Sequence, residues 1–176
     1  MNLAPRLETE RLILRLHRAE DFEASAAMWA NPDVVRHIGG QPSPRGEAWM
    51  RMLRYPGLWA LLGYGYLAIE DKATGRFAGE AGLADFKREM SPSIEAIPEA
   101  GWALHPDFHG RGLATEAVGA VLGWADANLD ARETCCIIDP VNTASVRVAQ
   151  KLGFTGPQIA RFRGSETLLF RRARRT

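Results

Sequence analysis

The chain has 176 residues and a mass of 19.4 kDa, the size of a single domain spanning 1–176 on a prior of roughly 100–200 residues per domain. A chain of this length buries about 70% of its unfolded surface and needs neither disulfide nor metal to hold a core. Twenty-two basic residues against 21 acidic ones leave a net charge of +1, which argues against a coat for nucleic acid or a charged membrane. Only Lys72, Lys87 and Lys151 among the basic residues are lysines, a bias we read as coding preference. Cys135 and Cys136 are adjacent, a spacing that strains a mutual bridge, and no Cys/His pattern suggests a metal site. We therefore expect no metal and a reducing, cytoplasmic compartment. Met1 to Arg18 lacks a signal-peptide stretch, and no run of about 18 apolar residues suggests a membrane span.

In chain order, Leu12, Leu14 and Leu16 alternate as on one side of a strand. Glu20 and Asp21 suit a first helical turn, with Phe22, Ala26 and Trp29 at helical spacing. Asn31-Pro32-Asp33 reads as a stop and a new helix start. Ser43 is placed to cap a helix through Met50 to Leu53. Strand-like runs follow at Leu58–Glu70, Phe77–Leu83 and Ala100–Leu104. Asp71–Gly75 supplies a hairpin turn between the first two, and Met90–Pro98 reads as a loop. Gly110–Asn128 carries one apolar stripe through Leu113, Ala117, Val118, Val121, Leu122 and Ala125 and predicts a helix. Thr134–Ile138 is apolar throughout, as in a sheet centre. A helix at Asn142–Leu152 and strands at Thr155–Phe162 and Glu166–Arg172 finish a mixed α/β pattern.

The segment His105-Pro106-Asp107-Phe108-His109-Gly110-Arg111-Gly112-Leu113-Ala114-Thr115-Glu116 holds the chemistry. A strand stops, a two-glycine loop follows and a helix begins. Glycines let a ligand approach the backbone closely, and the first N–H groups of a helix lack internal partners, so such a junction binds phosphate or pyrophosphate. A dinucleotide fold is a poor alternative: Thr115 stands at the third glycine position, and the loop lies too late in the chain for the remaining units. In the second segment Asn142 suits a helix cap, Ser145 falls at its third position, and Lys151-Leu152-Gly153-Phe154 closes the helix.

Together these segments resemble the GNAT N-acetyltransferases. His109-Gly110-Arg111-Gly112-Leu113-Ala114 fits that family's acetyl-CoA loop, with His109 in place of the usual Gln or Arg. Thr115-Glu116-Ala117 and Asn142…Ser145…Lys151-Leu152-Gly153-Phe154 also match. Leu7-Glu8-Thr9-Glu10-Arg11-Leu12-Ile13-Leu14-Arg15 is similar to the opening strand of the RimJ/RimL-like branch. The resemblance runs from about Leu7 to Phe170. It implies an α/β (α+β) fold with a twisted, mixed, mostly antiparallel sheet of about six to seven strands and a splayed strand pair holding acetyl-CoA. A homodimer is common in the family.

What the resemblance implies about function is transfer of an acetyl group from acetyl-CoA to a primary amine. Leu104 and His105, the loop His109, Gly110, Arg111, Gly112, Leu113, Ala114 and Thr115, and then Asn142, Ser145 and Lys151 are the expected cofactor contacts. Leu104 is the expected N–H donor to the thioester carbonyl. A lysine amine is neutral roughly once in 2,500 at pH 7, an α-amine about once in seven, so an α-amine asks less of a base. Glu99 and Glu80 are the candidate bases, with His105 a third. The family's usual tyrosine acid is replaced by Ala149, which leaves Ser145 or solvent to protonate the departing thiolate. The aromatic stretch Tyr55, Leu58, Trp59, Tyr64 and Tyr66 suggests the acceptor site, with Trp59, Tyr64 and Trp102 as lining candidates. Arg161, Arg163, Arg171, Arg172, Arg174 and Arg175 form a basic end, read as solvated side chains on a strand and frayed terminus. A degenerate acyl-CoA-binding sensor is the alternative function.

Overall fold

In the computed structural model, which describes residues 4–175, Leu12 and Leu14 are fully buried on one side of β2 (Leu12–Arg15), as their alternation predicts. β1 (Leu7–Glu8) pairs with it on the outside. Then come α1 (Phe22–Trp29), α2 (Pro32–Val35) and α3 (Arg45–Leu62). Next are β3 (Tyr66–Asp71), β4 (Phe77–Ala84), β5 (Met90–Ser91) and β6 (Glu99–Leu104). The chain ends with α4 (Leu113–Asn128), β7 (Glu133–Ile138), α5 (Thr143–Lys151), β8 (Thr155–Phe162) and β9 (Ser165–Ala173). The sheet has nine strands in the order β1-β2-β3-β4-β6-β7-β9-β8-β5, more than the six to seven expected, because β1 and β5 are two-residue additions at its edges. Every pairing is antiparallel except β6–β7.

Adjacent residues of one strand divide between the two faces. Leu104 and Cys136 join the main core under α4 and α5, with Leu67, Ile69, Leu83, Val118, Leu122 and Phe170. On the opposite face, Ala103 packs with Met28, Trp29, Val35 and Ala48 of α1–α3. Cys135 packs on that same face with Ile94, Ala160 and Leu169. Two satellite cores thus flank β6, which carries only small residues between them, Gly101 and Ala103. Both cysteines are buried and unbridged.

Four expectations need correction. The run from Leu58 is not strand: α3 continues to Leu62 through Pro56, because Ala48, Met52, Tyr55 and Trp59 keep helical spacing and are buried. Gly63, at φ 74°, ends it. Pro44, not Ser43, stands at its N-cap. The Met90–Pro98 loop contributes β5, and α4 starts at Leu113, not Gly110.

The basic end is tied down, not frayed. Arg172 is buried and holds Asp126 of α4 with two bonds of 2.9 and 2.5 Å. Arg171 pairs with Glu133 at 2.6 Å, and Arg174 Nε donates to the Asp126 carbonyl. The bonds to Asp126 staple β9 and the residues after it to the end of α4, and the Glu133 pair ties β9 to β7. No helix of the described residues is long and apolar enough to cross a membrane.

Candidate active site

Pro106 stops β6 and starts a 3-10 turn, Pro106–Phe108, capped by His105, whose Nδ1 accepts from the Asp107 N–H at 3.2 Å. Gly110 and Gly112 then take φ 71° and 75°, a left-handed conformation costly for other residues. No side chain caps α4, and its first internal bond runs from the Glu116 N–H to the Gly112 carbonyl at 3.1 Å. The N–H groups of Leu113, Ala114 and Thr115 therefore point out of the helix end with the positive pole of its dipole. A Cβ at Gly110 would meet nothing within 4 Å, so the backbone lies open to a ligand. An open helix start of this kind is suited to a phosphate or pyrophosphate.

The loop is braced from the other end of the chain. Glu116 accepts from Thr9 Oγ1 (2.6 Å), the Arg11 N–H (2.9 Å) and Arg11 Nε (2.7 Å), while Arg11 Nη1 donates to the Arg111 carbonyl at 2.9 Å. Burial pushes the Glu116 carboxyl up, but the bonds from Thr9 and Arg11 outweigh it and hold it below its ordinary value. Arg111 itself is exposed, its guanidinium 5.7 Å from the Phe108 ring.

Beside the loop, β6 and β7 part. They share one register pair, Glu99–Cys135, with the Cys135 N–H bonded to the Pro98 carbonyl at 3.1 Å. The His105 N–H faces β4, bonded to the Ala78 carbonyl at 2.9 Å. Alternation then turns the backbone groups of Ala100, Trp102 and Leu104 toward the gap. His109 Nε2–H donates to the Leu104 carbonyl at 2.8 Å, which pins that strand end and leaves the Leu104 N–H as its free donor. A cleft with amide donors along one wall thus opens directly onto that helix start.

This arrangement has counterparts. The Acetyltransferase (GNAT) domain model matches residues 11–155. The chain belongs to the GNAT acetyltransferase family. The protein YkkB of Bacillus subtilis (strain 168), itself uncharacterized, is 30% identical over 157 residues, 87% of each chain. The crystal structure of an acetyltransferase from Agrobacterium tumefaciens str. C58 is 31% identical, with a TM-score of 0.81 over 96% of this chain and 94% of that one. The fold also extends to RimL, the ribosomal L7/L12 α-N-protein acetyltransferase solved with coenzyme A, at 16% identity and a TM-score of 0.76 over 96% and 98% of the chains.

The opposite face of β6 is the one that the acceptor expectation concerns. Tyr66, Gly82 and Gly101 lie in one row across β3, β4 and β6. A Cβ at Gly101 would overlap Tyr66 Oη, so the tyrosine occupies the space that glycine leaves. Its ring stacks on Tyr55 at 5.0 Å and 15°. Burial, then the charges of Glu99 and Glu80, push the Tyr66 phenol well above its ordinary value, so it stays a neutral hydroxyl.

Neither candidate base is free. The Glu99 carboxylate is gripped by Arg88 through bonds of 2.6 and 3.0 Å. Glu80 is fully buried and accepts from Trp29 Nε1 at 3.2 Å and from Tyr55 Oη, with His17 Nε2 at 3.4 Å. Desolvation foremost, then the Glu80 charge, hold the Tyr55 phenol far above its usual range, which keeps it a donor. His105 is committed to its cap.

The remaining sequence candidates divide. Asn142 caps α5 by accepting the Ser145 N–H at 3.1 Å, which leaves the half-buried Ser145 hydroxyl one turn inside the same helix mouth. Lys151 closes α5 at its far end, about 13 Å along the axis and exposed. Trp59 belongs to the core: it is 5.1 Å from the Trp124 ring, and its indole N–H bonds the Tyr66 carbonyl at 3.0 Å. Trp102 packs on the α4 face and so borders the cleft, not the acceptor face, and the half-buried Tyr64 also packs against that core. Tyr66 lay within the aromatic stretch but was not singled out, and Arg51 and Arg88 were not among the candidates. Glycines at Gly82 and Gly101 inside strands were the available signal for Tyr66, since they mark close approach. The arginines gave none.

Proposed function

We propose that this chain transfers the acetyl group of acetyl-CoA to a primary α-amine by direct attack in a ternary complex. The observation that carries this is the amide-lined cleft between β6 and β7 with its mouth at the uncapped start of α4. The amides of residues 110–115 are suited to the CoA pyrophosphate. The Leu104 N–H is suited to the thioester carbonyl oxygen, where a fixed donor strengthens as charge develops and contributes a few kcal/mol. In the reaction the amine nitrogen bonds to the acyl carbon, the carbon–sulfur bond breaks, the amine loses a proton to solvent, and CoA leaves as thiolate or thiol. A thiol pKa of about 8.5 makes it a fair leaving group, and Ser145 is the protein hydroxyl we assign to protonate it.

The closed states of Glu80 and Glu99 favour an acceptor that needs little help in losing a proton. An α-amine meets that condition at neutral pH; a lysine side chain or a polyamine does not. The test is acetyl-CoA consumption against a panel of amines, followed by thiol release. Peptide α-amines should outpace lysine side chains and polyamines at pH 7 by about tenfold or more. Thermal protection by CoA without thiol release on any amine would instead establish the acyl-CoA-binding alternative.

A further inference from the structure

The arginines around the acceptor face are not equivalent. Arg45 is paired with Glu23 and Arg88 with Glu99. Arg51 of α3 is half-buried, its Nε is buried without a hydrogen-bond partner, and among the described residues no carboxylate lies within ion-pair distance. Its guanidinium sits 3.9 Å from the centroid of the Trp29 ring. That stack orients the charge but supplies no acceptor for its five N–H donors, and a partly desolvated cation without a counter-charge is costly. Arg54, one turn on and on the same side of α3, also lacks a carboxylate among the described residues and leans over Phe86 at 5.6 Å. Both line one open cavity of about 590 Å³ with Gly46, Glu47, Met50 and Leu53. Glu47 is its only acid, so the lining keeps an excess of one positive charge.

Arg51 joins this cavity to the Tyr66 face of the sheet, the groove we assign to the acceptor. Trp29, beneath Arg51, holds Glu80, which pairs across the sheet with Ala103 of β6. The Arg51 charge reaches both Tyr55 and Tyr66, drawing their phenols down against the larger upward effect of burial. From Arg54 a basic and aromatic strip continues along the groove. Phe86 and Arg88 are 4.9 Å apart, Arg88 and Phe162 4.9 Å, and Phe162 and Arg163 5.1 Å.

We propose that Arg51 and Arg54 form an anion subsite at the edge of the acceptor groove, and that the acceptor is a peptide whose α-amine is followed closely by an acidic side chain. A guanidinium fork takes a carboxylate through two parallel bonds, and a carboxylate would fill the vacant Nε donor. The same charges repel a polyamine. The proposal rests on the acetyltransferase reading for the identity of the ligand as acceptor, while the subsite itself is independent of turnover.

The test uses the full chain and two tripeptide amides identical except for Glu or Gln at the second position. With CoA present, calorimetric titration should show the Glu peptide binding about tenfold or more tightly than the Gln peptide, a gap that closes in high salt. In kinetics with acetyl-CoA, the ratio of kcat/KM for Glu over Gln should be about ten or more. It should collapse toward one in Arg51→Met and fall severalfold in Arg54→Gln, chiefly through KM. Arg54 is exposed, so its variant folds even if the Trp29 stack makes Arg51→Met unstable. Equal binding of the two peptides overturns the proposal, as does a discrimination that survives both substitutions. Tight, Arg54-dependent binding of the Glu peptide without acetylation upholds the subsite and sinks the acetyltransferase reading instead.

Discussion

Glu116 ties the N-terminal segment at Thr9 and Arg11 to the start of α4, and Glu116→Gln isolates what that joint does. The glutamine keeps one oxygen for Thr9 Oγ1 and the Arg11 N–H, now 2.6 and 2.9 Å away. It places an amide NH₂ where Oε2 accepts from Arg11 Nε at 2.7 Å, a donor facing a donor. Hydrogen bonds to charged groups are worth about 1.5–3 kcal/mol, but the Arg11 side chain is 43% exposed, and solvent screening trims the loss to about 1–2 kcal/mol. In a domain of this size that lowers Tm by about 2–8 °C. Arg11 also holds the Arg111 carbonyl, so the pyrophosphate loop loses order, and the CoA Kd should rise by up to about tenfold. The sign with pH follows from the depressed carboxyl. Its folded value lies below the unfolded one of about 4.3, so its stabilisation is complete above that and disappears as pH falls through the folded value. The variant should therefore have a flatter acid limb. Denaturant melts across pH, with CoA titrations at pH 7, measure both effects. A CoA Kd unchanged in a destabilised variant would refute the bracing of the loop, and an unchanged acid limb would refute the electrostatics.

Gly101→Ala places a methyl against Tyr66 Oη, which the Tyr55 stack keeps from yielding; overpacking of about 1–3 kcal/mol should raise the acceptor KM with little change in that for acetyl-CoA, and steady-state kinetics decide between them. Asn142→Ala removes the cap on the Ser145 N–H and should cost about 1 kcal/mol in a thermal melt, whereas Asn142→Asp, which still accepts that bond, should stay near the parent. Ser145→Ala should cut kcat much more than the acetyl-CoA KM; an unchanged kcat would exclude the hydroxyl as proton donor. Asp21→Asn removes the charge facing the buried Arg15 and sets an amide donor against one of its two donors, now bonded at 2.8 and 2.9 Å; it should cost about 3 kcal/mol, and less to the extent that Glu70, 2.8 Å from Arg15 Nε, compensates the charge. Burial raises the Asp21 carboxyl, but Arg15 and the Arg18 N–H lower it further, so this stability too is present above the unfolded value and is lost toward acid.

Much of the loop and helix start at residues 105–116 was legible because it is local. Two glycines, a strand stop and an apolar stripe lie within one short segment, and backbone amides at a helix start bind anions whatever their neighbours. The hairpin at Asp71–Gly75 was legible for the same reason: Thr74 Oγ1 bonds Asp71 Oδ2 at 2.6 Å within the turn itself. The last turns of α3 were misread as strand; Pro56 gives up only one internal bond while the buried stripe from Ala48 to Trp59 continues across it. The acceptor side was not legible. Whether a glutamate is a base or a buried anchor depends on who faces it, and Glu80 meets His17, Trp29 and Tyr55 from three separate segments of the chain.

The same distinction sharpens the meaning of the +1 charge. Sequence alone determined a nearly balanced charge, most of the helices and most of the strands, since elements of that kind depend on neighbours along the chain. Tertiary structure alone decided which arginines are spent. Arg11 reaches Glu116 across 105 positions and Arg172 reaches Asp126 across 46, so both are compensated internally, while Arg51 is held over Trp29 without a counter-charge. Charge counts add along a chain, but compensation acts only over a few ångströms in space.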